Sequence, residues 1–243
     1  ALGSGDVTPL EIVRGYAVLA NGGFLVEPYL VDRIENERGE LLFRAAPVRA
    51  CAACEAASAA GAEPETIEEL RAQTAAASAD RIAPRAVSAE NAWLMTSMLR
   101  DVIRSGTGRR ALELKRDDIA GKTGTTNDQR DAWFSGFNGR VVTTAWAGFD
   151  QVQTLGRDET GARTALPIWV DFMRAALDGT PAATLEQPPG LVTVRIDPDT
   201  GLLAGPGDTG AIFETFRTDS VPGGGGTGRS ADYSGGGVPE QLF

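Results

Sequence analysis

Histidine is absent from the 243-residue sequence. Its absence excludes the Ser-His-Asp and Cys-His catalytic arrangements and most zinc and haem sites. Acid–base chemistry near neutral pH then falls to Lys, Asp, Glu or Tyr side chains with shifted pKa values. The sequence also lacks an apolar run of the roughly 20 residues needed to cross a bilayer. It begins without Met or the basic region of a signal peptide, so we expect its start to lie inside a longer protein.

Lysine is nearly absent as well. The sequence has 23 basic residues, and only Lys115 and Lys122 among them are lysines. Acidic residues number 33, and the net charge of −10 argues against nucleic acid or an anionic membrane as a partner. With 42% hydrophobic and 23% charged residues, the composition is that of a soluble globular domain with or without appendages. Because arginine serves elsewhere as the cation, Lys122 needs a specific reason.

Cysteine occurs only twice, as Cys51 and Cys54 in a C-x-x-C motif. The motif lies in residues 45–84, an alanine-rich stretch with few large apolar residues that we interpret as an inserted, partly helical surface segment. A local disulfide, free thiols and half of a metal site all remain open, and the disulfide is favoured. Zinc would need two further ligands. A thioredoxin-like role would need the motif at the start of a helix beside a strand, which the sequence does not indicate.

Three amphipathic helices are predicted. The first is preceded by Thr8 and has Glu11 in the position of a capping box. The second begins after Ser88 and ends near Gly106. The third has Pro167 close to its start. Their apolar stripes predict that each helix packs one face against a core.

Strands are predicted between the helices. Short strands flank a turn at Asn36–Gly39, and residues 119–126 form another strand. Asn138-Gly139 between two β-rich runs predicts a hairpin with a type I′ turn. A further hairpin is expected over residues 191–204. This order of elements predicts an α+β fold, layered α/β/α, in which helices pack on an antiparallel sheet.

The strand around Lys122 has unusual chemistry. Alternation places Lys122 and Gly124 on one side and Thr123 and Thr125 on the other. A cation, hydroxyls and an unobstructed backbone suit an extended peptide that ends in a carboxylate, and a backbone N–H could form half of an oxyanion hole. A solvated lysine that discourages edge-to-edge aggregation is the alternative. A phosphate-binding loop is excluded because Arg116 stands where its first glycine would be.

The wider context carries a family resemblance. The segments GKTGTTNDQRDAWFSGF, VTPLEIVRGYAVLANGG and PIWVDFMRAAL together resemble the transpeptidase domain of class A penicillin-binding proteins. K-T-G is among that family's signatures. The resemblance covers residues 1–39 and 81–179. It implies the penicillin-binding-protein and β-lactamase-like transpeptidase fold, with the N-terminal part missing from this sequence.

The resemblance implies a role for each residue of the motif. Lys122 would be catalytic through the electrostatics and proton relay of the cleft. Thr125 would complete the oxyanion hole with its N–H, and Thr123 and Thr125 would hold the substrate carboxylate. Gly124 and Thr126 would also bind substrate. The reaction would be D,D-transpeptidation, in which a serine attacks a stem peptide, and β-lactams would acylate the same serine.

The resemblance also implies partners and a location. Substrates would be peptidoglycan stem peptides and their lipid-linked precursors, and regulators of cell-wall synthesis are further candidates. The parent protein would also be a glycosyltransferase. We expect the periplasmic side of the bacterial cytoplasmic membrane, with the membrane anchor outside this sequence, and no cofactor, metal or nucleic acid.

Two motifs of that family are missing. The residues three before the lysines are Leu112 and Ile119, so no S-x-x-K is present, and no S-x-N is present either. We therefore expect a C-terminal fragment that is inactive alone and exposes apolar surface. A non-catalytic module that binds stem peptides or a protein is the alternative. A β-lactamase relative is disfavoured by the strand-rich extension after Pro181.

The predicted organisation has three parts. Residues 1–180 would be the C-terminal portion of the transpeptidase domain, including the inserted segment. Residues 181–218 would be a small strand-rich extension, and residues 219–243 a glycine-rich flexible tail.

Overall fold

The computed structural model describes residues 5–59 and 81–223. Its internal contacts divide the chain into two units, Ala1–Pro189 and Gly190–Phe243. Each unit is described by itself. The predicted domain boundary after residue 180 stays a prediction. Most of the predicted tail and the middle of the inserted segment lie outside the described residues.

The helices of the first unit begin where local sequence signals place them. Helix α1 (Pro9–Ala20) begins after Thr8, whose hydroxyl accepts from the Glu11 N–H at 3.3 Å while its own N–H donates to Glu11 Oε2 at 2.7 Å. These two bonds complete the predicted capping box. Helix α2 (Ala52–Ala59) lies in the inserted segment, and α3 (Ala89–Arg104) is capped by Ser88. Helix α4 (Leu166–Ala176) follows a π-helical turn, Gly161–Ala165.

The sheets of the first unit are antiparallel. Strands β1 (Arg33–Glu35) and β2 (Leu41–Arg44) form the hairpin predicted around the turn at Asn36–Gly39. Strands β3 (Ala120–Thr125), β4 (Ala132–Phe137) and β5 (Val142–Ala147) form a three-stranded sheet in the order β3-β4-β5. Strand β3 is therefore an edge strand among the described residues.

Helices cover both faces of the three-stranded sheet. On one face, Ala120 and Phe137 are buried with Leu99 of α3, and Tyr16 and Leu19 of α1 pack against them. On the other face, Phe134 and Trp169 of α4 are fully buried, with their rings in edge contact at 4.9 Å. This arrangement is the layered α/β/α architecture that the sequence predicted.

The turn between β4 and β5 differs from the prediction. A type I′ turn requires positive φ at both central residues, and neither Asn138 nor Gly139 has one. The connection is a four-residue loop in which the Asn138 side-chain oxygen accepts the N–H groups of Arg140 and Val141, at 3.0 and 2.9 Å. The hairpin was predicted correctly and its turn type was wrong, because a side chain rather than a left-handed backbone closes the loop.

A buried carboxylate holds this loop in place. Asp118, 5% exposed, accepts two hydrogen bonds from the Arg116 guanidinium, at 2.8 and 2.7 Å, and one from Asn138 Nδ2 at 3.0 Å. It also accepts the Ala183 N–H at 2.9 Å. Burial raises the pKa of Asp118, but these donors outweigh it and lower the pKa to about 2. One ionised side chain thus joins the start of β3, the β4–β5 loop and the chain after α4.

The inserted segment contains α2 and the cysteine pair. Cys51 and Cys54 form a disulfide, and Cys51 directly precedes the helix. The disulfide that the sequence favoured is therefore present, and the motif lies at the start of a helix, which the sequence did not indicate. The Glu55 carboxylate accepts from Arg85 Nε at 2.9 Å, and the Arg85 guanidinium lies 4.1 Å from the centre of the Phe24 ring. The hydrogen bond from Arg85 lowers the pKa of Glu55. These contacts join α2 to the rest of the first unit.

The second unit is built on one hairpin. Strand β6 (Leu191–Ile196) pairs with β7 (Ile212–Arg217), with Leu191 opposite Arg217. The sequence predicted that residues 191–204 would pair among themselves. Only a single bridge, between Ile196 and Leu203, forms there. The short turn after Ile196 is present, but a later segment supplies the full partner strand.

Candidate functional site

An open cleft of about 890 Å³ runs along β3. Its lining includes all five residues from Lys122 to Thr126. Residues 5–9 and the side chains of Ile12 and Tyr16 on α1 also line it, as do Trp133, Trp146 and Val152. The residues that the sequence singled out on this strand therefore face one cleft. Cys51 and Cys54 are not among its lining residues.

Two glycines of β3 allow it to pack closely beside β4. Gly121 pairs with Gly136, and a Cβ at Gly121 would lie 2.8 Å from the Phe134 ring. A Cβ at Gly124 would lie 3.1 Å from Trp133 Cβ. The strand therefore packs closely on its paired side. Its other edge has no strand partner among the described residues, and its backbone groups are available to an extended ligand.

Lys122 is exposed on this edge strand, opposite Ser135 of β4. Its ammonium donates to the Thr123 carbonyl at 3.0 Å and lies 3.4 Å from Thr123 Oγ1. The other lysine, Lys115, follows a 3₁₀ helix (Arg109–Leu114) and has φ of 52°. The two lysines thus occupy different surroundings, and Lys122 lines the cleft.

The two threonines of the motif have separate hydrogen-bond partners. Thr123 Oγ1 lies 2.7 Å from Thr107 Oγ1, in the turn after α3. Thr125 Oγ1 accepts the N–H of Gly161, at the start of the π-helical turn, at 3.0 Å. Because an amide N–H can only donate, the Thr125 hydroxyl proton remains available to a ligand.

The far end of the cleft contains an aromatic pair. Thr126 Oγ1 accepts the Asp131 N–H at 2.8 Å, and Asp131 Oδ1 accepts from Trp146 Nε1 at 2.9 Å. The rings of Trp133 and Trp146 lie 5.9 Å apart. These bonds fix the loop between β3 and β4 and give the cleft a rigid aromatic end.

A serine also lies beside the lysine. Ser135 is opposite Lys122 in the register, but it is only 4% exposed. Its hydroxyl lies 2.9 Å from Thr144 Oγ1 on the neighbouring strand. Ser135 is among the residues that line the cleft, but a buried hydroxyl in a side-chain hydrogen bond is poorly placed to attack a substrate.

An apolar groove adjoins the cleft between α1 and α3. It has a volume of about 560 Å³ and is lined mainly by apolar side chains, including Ile12, Leu19, Met98 and Val102. Met98 is 57% exposed, and burial raises the pKa of Tyr16 at the inner wall. Lys122 lies at the end of this groove, so the groove leads directly to the cleft.

The described residues lack two general kinds of site. Residues 5–59 and 81–223 contain no group of three Cys, Asp or Glu side chains placed to hold a metal ion. Within the same ranges, no helix combines the length and hydropathy of a membrane span.

Thr107 and Gly161 were not identified from the sequence. Each contacts a threonine of the motif, but they lie 16 and 36 positions away from those threonines. The S-G-T-G run around Thr107 predicts a turn, but it does not predict the contact with Thr123.

Comparison with known proteins gives the family. Residues 1–154 match the family model described as penicillin binding protein transpeptidase domain. The chain is 48% identical over 240 residues to penicillin-binding protein 1A of Pseudomonas aeruginosa, covering 91% of this chain and 29% of that protein. It is 38% identical over 256 residues to penicillin-binding protein 1A of Escherichia coli, covering 86% of this chain and 30% of that protein.

A solved structure agrees in fold. The crystal structure of penicillin-binding protein 1A from Haemophilus influenzae superposes with a TM-score of 0.76 at 40% identity, covering 89% of this chain and 32% of that chain. This chain thus spans about 30% of the length of these relatives. By its matched residues and its fold, the chain belongs to the penicillin-binding protein transpeptidase family, as part of a transpeptidase domain of the 1A type.

Proposed function

We propose that this chain forms one wall of the active-site cleft of a serine-type D-Ala-D-Ala transpeptidase of peptidoglycan synthesis. The observation that supports it most is the open edge of β3. The exposed ammonium of Lys122 and the hydroxyls of Thr123 and Thr125 line one cleft. The backbone between them is exposed because Gly124 has no side chain. These groups match a stem peptide, which is extended and ends in a carboxylate.

The stem peptide would lie along β3 as an added strand. Its terminal carboxylate would accept hydrogen bonds from the hydroxyls of Thr123 and Thr125 and gain electrostatic stabilisation from Lys122. The Thr125 N–H would form half of the oxyanion hole. Gly124 would let the peptide backbone approach because it has no side chain, and Thr126 fixes the following loop through Asp131.

The chemistry would proceed through an acyl-enzyme. A serine oxygen attacks the carbonyl of the penultimate D-Ala, and the ester forms as the bond to the terminal D-Ala breaks. The departing amine takes up a proton. The amine of a second stem peptide then attacks the ester, forms the cross-link and returns a proton to the serine. Lys122 would stabilise the developing charge and take part in this proton relay.

The nucleophile would come from outside this sequence. No serine here stands three residues before a lysine, and Ser135 is buried against Thr144. This chain spans about 30% of its relatives. The remaining part of the domain would supply the serine and its base, and an apolar helix of that part would cover the groove between α1 and α3. Alone, the chain would be inactive.

The partners and location follow from the same proposal. Lipid-linked precursors and nascent peptidoglycan would supply the stem peptides, β-lactams would acylate the serine, and regulators of cell-wall synthesis could bind elsewhere on the protein. A glycosyltransferase activity would belong to the rest of the protein. The disulfide between Cys51 and Cys54 fits the oxidising periplasmic side of the membrane.

Labelling with fluorescent penicillin tests this proposal. The full-length protein that carries this sequence is labelled, digested, and its acylated peptide is identified by mass spectrometry. We expect one acylated serine outside these 243 residues, unchanged labelling of the Ser135→Ala variant, and no labelling of the isolated chain.

Two results would argue against the proposal. An acyl group on Ser135 or any other serine of this chain would overturn the proposal that the nucleophile comes from outside this sequence. Binding of D-Ala-ended peptides by a full-length protein that is never acylated would favour the non-catalytic module instead.

A further inference from the structure

A second threonine stands behind the motif. Thr107 Oγ1 lies 2.7 Å from Thr123 Oγ1, although Thr107 belongs to the turn after α3 and is not among the residues that line the cleft. Both side chains are surface hydroxyls, so core packing does not explain the contact. Through this hydrogen bond, Thr107 can instead affect which way the hydroxyl proton of Thr123 points.

The turn that carries Thr107 is tightly fixed. A Cβ at Gly106 would lie 2.9 Å from Val102 Cα, and a Cβ at Gly108 would lie 3.2 Å from the Val102 carbonyl oxygen. The Gly108 N–H donates to that oxygen at 2.9 Å. The two glycines therefore let the backbone fold over the last turn of α3, and Thr107 between them is held towards β3.

The direction of this hydrogen bond decides whether Thr123 has a proton for a ligand, and either hydroxyl can be the donor at this distance. A hydroxyl has one proton and two acceptor positions, whereas an ammonium only donates. Lys122 Nζ approaches Thr123 Oγ1 at 3.4 Å. If Thr123 donated to Thr107, it would have no proton left for a carboxylate. If Thr107 donates to Thr123, the proton of Thr123 is free to enter the cleft.

We propose that Thr107 is a positioning residue for substrate carboxylate recognition. Its hydroxyl donates to Thr123 and thereby directs the Thr123 proton at the carboxylate of the stem peptide or β-lactam. Such a chain of hydroxyls also strengthens each of its bonds, because each donor polarises the next. This proposal rests on the proposed function, since it assigns a role at the same cleft.

The test is acylation of the full-length protein by penicillin. Thr107→Val removes the hydroxyl at nearly constant shape, and Thr107→Ser keeps it. We expect Thr107→Val to lower the second-order acylation rate about tenfold, in the range for one lost hydrogen bond to a charged group. Thr107→Ser should retain the normal rate, and adding Thr107→Val to Thr123→Val should cause no further loss.

Two controls separate positioning from a structural effect. Thr193 and Thr215 form the same kind of hydroxyl pair in the second unit, at 2.8 Å, so Thr193→Val should acylate normally. Penicillin methyl ester lacks the carboxylate, and its slower acylation should be equal in the wild-type protein and the Thr107→Val variant. The ester reaction also reports that the variant is folded.

The outcomes distinguish a failure of the role of Thr107 from a failure of the proposed function. A normal rate in Thr107→Val, or an equal loss with penicillin and its ester, overturns the role of Thr107. If Thr123→Val lowers acylation while Thr107→Val does not, only the role of Thr107 fails. If neither variant changes the acylation rate, the assignment of Thr123 to the carboxylate fails as well.

Discussion

The amide N–H of Gly161 donates to the hydroxyl of Thr125 at 3.0 Å, across 36 positions of sequence. A Cβ at Gly161 would lie 2.3 Å from the Trp133 carbonyl oxygen and 2.4 Å from that of Gly124. The π-helical turn before α4 therefore rests directly on the backbone of β3 and β4. The last residue of the motif strand is positioned from outside the sheet.

The first prediction concerns this contact. Gly161→Ala forces a methyl group into two backbone carbonyl groups that cannot rotate away, so the π-helical turn must shift and release Thr125. We expect about 2 kcal/mol of destabilisation, as for other overpacked sites, and a lower acylation rate with penicillin. Thermal unfolding and acylation of the full-length protein measure both effects.

Gly205→Ala is the matched control. Nothing lies within 4 Å of a Cβ at Gly205, so this variant should unfold and react as the wild-type protein does. Equal behaviour of the two variants would contradict the close packing at Gly161.

The second prediction concerns the buried carboxylate. Asp118→Asn leaves the Arg116 guanidinium without its ionic partner and replaces one acceptor oxygen by an amide donor. Breaking such a buried pair should lower the free energy of unfolding by about 3 kcal/mol. Asp128→Asn is the matched control, because Asp128 pairs with Arg130 at the same two-residue spacing but is exposed.

Denaturant unfolding checks this prediction. The control variant should lose less than about 1 kcal/mol, as exposed ion pairs do. A similar small loss in both variants would mean that Asp118 does not organise the β4–β5 loop.

The third prediction concerns pH. The pKa of Asp118 is about 2 in the folded protein and 3.8 in an ordinary environment. Because the folded value is the lower one, the ionised carboxylate stabilises the fold above pH 4, and this contribution is lost as the pH falls from 4 to 2. Other carboxylates titrate in the same range, so the informative quantity is a difference between two proteins.

Melting temperatures of the wild-type protein and Asp118→Asn measure that difference. The gap between the two should be constant between pH 5 and 7 and should shrink between pH 4 and 2. A gap that stays constant down to pH 2 would exclude Asp118 as the titrating group.

The fourth prediction concerns the cysteine pair. Cys51→Ser with Cys54→Ser removes a constraint of about 2 kcal/mol on the first turn of α2, which is what loop closure predicts for so short a loop. Glu55 holds Arg85 from that turn, so this ion pair should loosen. Hydrogen exchange should become faster in residues 51–59, with no change in β3.

A comparison variant isolates the disulfide. Glu55→Gln keeps the disulfide and weakens only the contact with Arg85, so it should have the smaller effect on exchange. Loss of penicillin acylation in the double serine variant would show that the disulfide acts at the cleft, which the structure does not suggest.

Local features of the fold could be predicted from the sequence, and distant pairings could not. The capping box of Thr8 and Glu11 lies within one helical turn, and the neighbouring residues determine it. The type of the turn at Asn138 was predicted wrongly, because the Asn138 side chain that closes the loop is itself held by Asp118, 20 positions away. The partner of β6 was missed for the same reason, since strand pairing depends on tertiary contacts more than on local propensity.

The candidate site shows the same division. The rarity of lysine and the small residues around Lys122 marked the strand, and its alternation indicated which side chains share a side. Thr107 and Gly161 could not be found this way, because the residues around each of them do not predict which threonine it contacts. Their contacts with β3 come from the folding of α3 and the π-helical turn onto that strand.

If Lys122 serves the transpeptidase cleft, the two lysines of this chain should differ in their effect on acylation. The acylation rate of the full-length protein with fluorescent penicillin is compared between Lys122→Gln and Lys115→Gln. Loss of a proton-relay group predicts a fall of about 100-fold or more for Lys122→Gln and no change for Lys115→Gln. A Lys122→Gln protein that is acylated at the wild-type rate would contradict a role of Lys122 in the cleft.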